Sequence, residues 1–182
     1  VTFISQDALD YSNDAQMRVA VDTRSLQRRI TLTLVAGTAE YELDDTVVSV
    51  LSVLDSAGDP IAPLQADDAL TLISGGDNTG AVTITGYYML EPGTIGFYPA
   101  PDTADTVQLY YYARPDELTS ASAFEISGDA EALIERLVLA MRMDDDGQLE
   151  WAAYQESLYE SEASRLRRLR VDEQPSRFAV AQ

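Results

Sequence analysis

The sequence predicts an α+β protein: a helical bundle made from both ends of the chain, an inserted antiparallel β domain, and an extended C-terminal arm. Three observations predict it. Residues 5–29 and 129–170 place apolar side chains at helical spacing. Residues 30–118 alternate β-branched and aromatic residues between clusters of turn formers. Beyond Val171 the chain turns polar around Pro175. A length of 182 residues with a hydrophobic fraction of 46% suits one domain, or one domain with an appendage.

Residues 5–29 read as the first helix. Ser5 and Asp7 are candidate caps, Asp7, Asp10 and Asp14 make its first turns acidic, and Arg24, Arg28 and Arg29 make its end basic. That polarity complements the helix dipole. Ala8, Leu9, Tyr11, Ala15, Val19 and Leu26 supply a loose apolar stripe.

The pattern then changes to β. Ile30–Leu34 alternates, Gly37 turns the chain, and Glu40–Leu43 and Val47–Leu54 follow as strands. Asp55-Ser-Ala-Gly-Asp-Pro60 is a cluster of turn formers. Asp67–Ile73 forms a short helix carrying Leu70 and Ile73, and Gly75–Gly80 a loop. Val82–Leu90, Thr94–Tyr98 and Thr106–Ala113 are three further strands, the last two separated by Pro99-Ala-Pro-Asp102. Residues 119–128 read as a linker. Asp129 is a candidate N-cap before a helix whose stripe is Leu133, Ile134, Leu137, Val138 and Met141. Asp144–Gln148 breaks it, and a second helix over Leu149–Leu169 follows, with Trp151, Tyr154 and Leu158 on its seam and Leu166 and Leu169 further along. So short a connection predicts antiparallel packing of the two helices. Residues 171–182 form the arm.

The charge is lopsided. There are 31 Asp and Glu against 12 basic residues, a net charge of −19, and every basic residue is Arg. Without Lys, His or Cys, the chain has no means for a Cys/His zinc site, Ser-His-Asp or Cys-His catalysis, a Schiff-base lysine, a P-loop lysine or a disulfide. The acidity also argues against wrapping DNA, which requires a basic surface. Residues 30–129 carry a net charge of −15, whereas residues 165–182 carry +3 through Arg165, Arg167, Arg168, Arg170 and Arg177. One chain thus bears both an acidic and a basic surface, and the basic end is expected to dock on an acidic surface of a neighbouring subunit or partner.

Other motifs fail on spacing. Asp144-Asp-Asp-Gly147 breaks the calcium-loop pattern in either register, since one puts Arg142 first and the other puts Leu149 sixth. The glycines at 75, 76 and 80 have no Lys to reach a phosphate. No feature singles out an acidic pair for glycoside hydrolysis, so no catalytic residue, cofactor or metal is assigned. Tyr87, Tyr88, Tyr98, Tyr110, Tyr111 and Tyr112 concentrate in the late strands, where they serve a core, a subunit interface, or both on opposite faces. The start lacks a basic segment followed by an apolar one, and no apolar run reaches the ~20 residues a bilayer span needs, so a soluble protein is expected.

Gly96-Phe-Tyr-Pro-Ala-Pro-Asp102, followed by Val107–Tyr112 and Arg114-Pro115, resembles the head–tail adaptor proteins of tailed bacteriophages. Gly37-Thr-Ala-Glu-Tyr-Glu-Leu43 resembles the start of the β region of that family, although Asp44 stands where the family often has Pro. Residues 129–166, with Gly147 between two helices and Tyr154 and Tyr159 beyond it, resemble the closing hairpin. The resemblance implies a structural virion protein, not an enzyme. It implies a homo-oligomeric ring, usually a dodecamer, assembled in the host cytoplasm between the portal and a tail nozzle, tube or stopper. DNA would cross the ring's acidic lumen unbound during ejection, and no membrane would be involved. It implies portal contacts at Arg165, Arg167, Arg168, Arg170, Arg177 and Phe178, and tail-facing loops at Asp77, Asn78 and Asp102. The alternative reading is a β-rich tail or capsid decoration module that recognises a surface ligand.

Overall fold

Helical spacing and β alternation resolve into four α-helices and seven strands in the computed structural model, which describes residues 6–74, 83–91, 93–119, 123–126 and 128–172. The chain divides into two compact units, one helical (through Leu26, and again from Arg114) and one β (Gln27–Ala113).

In the helical unit, α1 spans Gln6–Thr23, α3 Glu131–Asp145 and α4 Leu149–Asp172. The three pack pairwise around a shared core that includes Ala15, Val19, Leu133, Ile134, Leu137 and Tyr159. Burying each such Leu or Ile contributes about 2 kcal/mol. The turn between α3 and α4 closes on Gly147, whose φ of 75° is a left-handed conformation that glycine adopts freely. Ala140–Asp144 lies beside Leu149–Ala153 while Arg136 meets Glu162 at 3.9 Å, the pairing of antiparallel neighbours. The expected linker contains Ile126, which is buried in this core, and Glu125, whose N–H donates to Gln16 Oε1 at 3.0 Å.

Several helical expectations are corrected. α1 ends at Thr23, and no basic residue stands in its last turn. Arg24 takes a φ of 51°, which breaks the helix, and Arg28 and Arg29 belong to the following strand. Pairing along that strand overrides the local helical pattern. Asp129 does not cap α3: Gly128–Ala130 is a 3-10 turn, and Ala130 occupies the cap position with no side-chain bond. The buried seam of α4 is Ala152, Tyr159, Ala163 and Leu166, while Trp151, Tyr154 and Leu169 are exposed and Leu158 half-buried. The helical rotation that buries Tyr159 and Leu166 carries Ala152 and Ala163 into the same seam and turns Trp151 and Tyr154 outward. α4 also runs on to Asp172, into the residues expected to begin the arm.

The β unit comprises β1 (Gln27–Leu34), β2 (Glu40–Glu42), β3 (Val47–Leu54), β4 (Pro60–Pro63), α2 (Ala66–Ser74), β5 (Gly86–Glu91), β6 (Thr94–Tyr98) and β7 (Asp105–Ala113). The strands form one sheet in the order β1-β7-β3-β4-β5-β6-β2. β1 pairs with β7 along its whole length, from Gln27 opposite Tyr112 to Leu34 opposite Asp105. The sheet is not wholly antiparallel, because β4 and β5 pair in parallel and α2 supplies the crossover that a parallel pair requires. β4 was not expected, since its short span between two prolines reads locally as turn. β5 begins at Gly86, and Val82, where the strand was expected to start, lies outside the described residues. Leu34, Val53, Ile95, Phe97, Val107 and Leu109 are buried in this unit, as are Tyr88, Tyr111 and Tyr112.

Candidate interaction surface

The basic end of α4 is set by its helical rotation. Because Leu166 enters the core, Arg165, Arg167 and Arg168 face outward. Arg165 reaches Glu162 at 3.4 Å on its own helix, and Arg168 Nε donates to the Ser164 carbonyl at 3.2 Å. Arg170 is half-buried, and its guanidinium donates to the Arg24 carbonyl at 3.3 Å, where the chain leaves α1. Arg170 therefore also has a role inside the helical unit, satisfying a carbonyl at a helix end.

Behind this end lies a polar anchor joining α1 to α4. The Tyr159 hydroxyl donates to Asp22 Oδ2 at 2.6 Å, and Arg18 lies 5.1 Å from the centre of the Tyr159 ring. Arg18 also binds Glu156 at 2.9 Å and approaches Asp22 at 3.7 Å. Burial, then the bond to Asp22, pushes the Tyr159 hydroxyl well above the ordinary tyrosine range. Arg167 joins Arg18, Asp22 and Tyr159 in lining a shallow cavity of about 300 Å³. At the far end of α1, Tyr11 donates to Asp145, and that bond pushes its hydroxyl up to about 12.

The opposite end of α4 carries a feature that the sequence placed in the core. Trp151 and Tyr154 meet edge to face with ring centres 6.2 Å apart, and both are exposed. They stand beside the acidic turn Asp144–Asp146 and Glu150. The signal that could have revealed this is the alanine pair Ala152 and Ala163, which marks a second, smaller seam at helical spacing.

Of the expected tail-facing loop residues, Asp102 is an exposed bend after buried Pro101, whose carbonyl accepts the Gly37 N–H at 2.7 Å. Asp77, Asn78, Arg177 and Phe178 lie outside the described residues. No cluster of metal-ligating side chains occurs among the described residues, and no described helix is long and apolar enough to cross a membrane.

No curated protein matches the sequence. The family model described as SU10 adaptor protein matches residues 2–181, nearly the whole chain. That family is one of phage adaptors, structural proteins and not enzymes, which agrees with the head-to-tail adaptor resemblance of the Gly96–Asp102 and Gly37–Leu43 stretches. By this match the chain belongs to the SU10 adaptor protein family.

Proposed function

We propose that the chain is the head-to-tail adaptor that joins portal to tail as a homo-oligomeric ring, a dodecamer by family likeness. The family match over residues 2–181 carries this reading. The basic end of α4 supports it, because Arg165, Arg167 and Arg168 stand exposed on a rigid helix in an otherwise acidic chain. Arg165, Arg167, Arg168 and Arg170, continued by Arg177 and Phe178, are the portal-binding element. Phe178 is its apolar anchor, since an aromatic followed by Ala179 and Val180 suits a partner pocket. Asp102, with Asp77 and Asn78, faces the tail nozzle, tube or stopper.

The ring's lumen carries DNA without binding it. With a net charge of −19, an acidic lumen repels phosphate and keeps the passing duplex from sticking. The protein resides in the virion at the head–tail junction and assembles in the host cytoplasm. Its domains are the helical unit (through Leu26 and again from Arg114) and the β unit (Gln27–Ala113), with the residues beyond α4 as the arm that reaches the portal.

Mixing the purified chain with its portal and measuring particle mass tests the reading. A ring that joins portal, and is lost on deleting residues 173–182 or on Arg167→Glu with Arg168→Glu, is the expected result. A chain that ignores portal at low salt would overturn it.

A further inference from the structure

Trp151, Tyr154, Leu158, Ser161, Arg165 and Arg168 follow one another in alternating steps of three and four residues along α4. That spacing puts them in one stripe of the kind that seams two helices together. The stripe lies one position out of step with the buried seam, so the single chain leaves it uncovered: Trp151 is 60% exposed and Tyr154 53%. Exposed Trp and Tyr in a well-formed pair are the residue types that dominate protein contacts.

We propose that this stripe is a self-complementary contact through which two copies of the free chain pair, their α4 helices antiparallel about a two-fold axis. Charge fixes both the occupant and the orientation. Residues 144–162 contain seven acidic residues and no Arg, whereas residues 165–170 contain four Arg and no acid. Parallel pairing sets like charge on like. Antiparallel pairing sets each acidic aromatic half on the other copy's basic half, twice over. In that register Trp151 meets Arg168 of the other copy, Tyr154 meets Arg165, and Leu158 meets Ser161 at the axis. Guanidinium groups over Trp and Tyr rings gain cation–π attraction as well. A two-fold contact closes on itself, so it stops at a dimer.

The pairing stands on α4 alone, and only its consequence rests on the adaptor reading. Arg165 and Arg168 are assigned there to the portal, so the pair covers them in the free protein and portal must displace the second copy.

The test uses the full-length chain without portal. Sedimentation shows a dimer that weakens with added salt. Emission of Trp151, the chain's one tryptophan, is that of a covered indole and shifts red on dilution. Tyr154→Arg faces Arg165 with a like charge at both symmetry-related positions and weakens the dimer on the order of a hundredfold. The swap Tyr154→Arg with Arg165→Tyr restores it, and because both positions are exposed, the far-ultraviolet circular dichroism stays unchanged. A monomer at all concentrations overturns the inference, as does an assembly whose Trp151 emission stays that of an exposed indole and ignores Tyr154→Arg. Either result leaves the portal reading standing, because that is read from co-assembly with portal.

Discussion

Gly96 shows at one residue how the β unit depends on close approach. It pairs across the sheet with Tyr88, and an added Cβ would lie 2.2 Å from the Tyr88 ring. The ring is buried and folds down over the glycine, so it has no room to give way. Gly58 makes the useful contrast: its φ is 93°, but a Cβ there would meet nothing within 4 Å. Gly96→Ala is therefore expected to cost about 2–3 kcal/mol through overpacking. Gly58→Ala is expected to cost about 1 kcal/mol, through backbone strain alone. Urea melts of the two variants check the order, and equal losses would reject the account of Tyr88. Tyr41 works in the opposite sense, adding bonds where Gly96 gives space. Its hydroxyl accepts the Val35 N–H at 2.8 Å and donates to the Thr38 carbonyl at 2.9 Å, while its ring meets Phe97 edge to face. The Gly37–Leu43 and Gly96–Asp102 stretches that carried the family resemblance are thus one contact network, closed by Gly37 N–H on the Pro101 carbonyl.

Among the elements, α1 and α4 are joined by Tyr159, whose ring is fully buried and whose hydroxyl donates to Asp22. Tyr159→Phe removes that bond and is expected to cost about 1–2 kcal/mol at neutral pH. The folded-state pKa lies above the ordinary value of 10.0, so this stability is fully present below pH 10 and is lost as pH climbs through the raised value. The gap between wild type and Tyr159→Phe in denaturant midpoints should accordingly narrow above pH 10, and a gap independent of pH would refute the linkage. In the turn between β3 and β4, Asp55 accepts the N–H groups of Ala57 at 2.9 Å and Asp59 at 2.8 Å. Asp55→Ala should lower stability by about 1 kcal/mol in thermal melts. That turn was legible in the sequence because its chemistry is local, and so was α3, where Leu133, Ile134 and Leu137 announce the face they bury. Other elements were decided at a distance. α1 stops at Thr23 because β1 pairs back to Gln27 with a strand eighty residues on, and β4 exists only through its neighbours. The basic end of α4 was legible as composition. Arg170's carbonyl partner was not, since it lies 146 residues away in the chain. Trp151 and Tyr154 misled because bulk suggests burial, whereas the rotation of α4 that buries Ala152, Tyr159, Ala163 and Leu166 turns both outward.

For the whole molecule, acidity sets two opposed responses to salt. Gln27–Ala113 carries twelve acidic residues against Arg28 and Arg29, so like charges crowd a small folded volume. At low ionic strength their repulsion favours the expanded chain, because unfolding lets them separate. Raising salt from about 0.01 M to about 0.1 M shortens the screening length from about 30 Å to about 10 Å, which removes most of that repulsion. Relief of about 1 kcal/mol would raise the melting temperature by roughly 2–4 °C for a chain of this size. Docking through the arginines of α4 responds the other way, since screening weakens attraction between a basic end and an acidic acceptor. Added salt should thus stabilise each copy while loosening its hold on a partner. Calorimetry and binding measured across one salt series check both slopes together. A melting temperature that falls with salt would mean that attractive ion pairs, not mutual repulsion, govern the acidic surface.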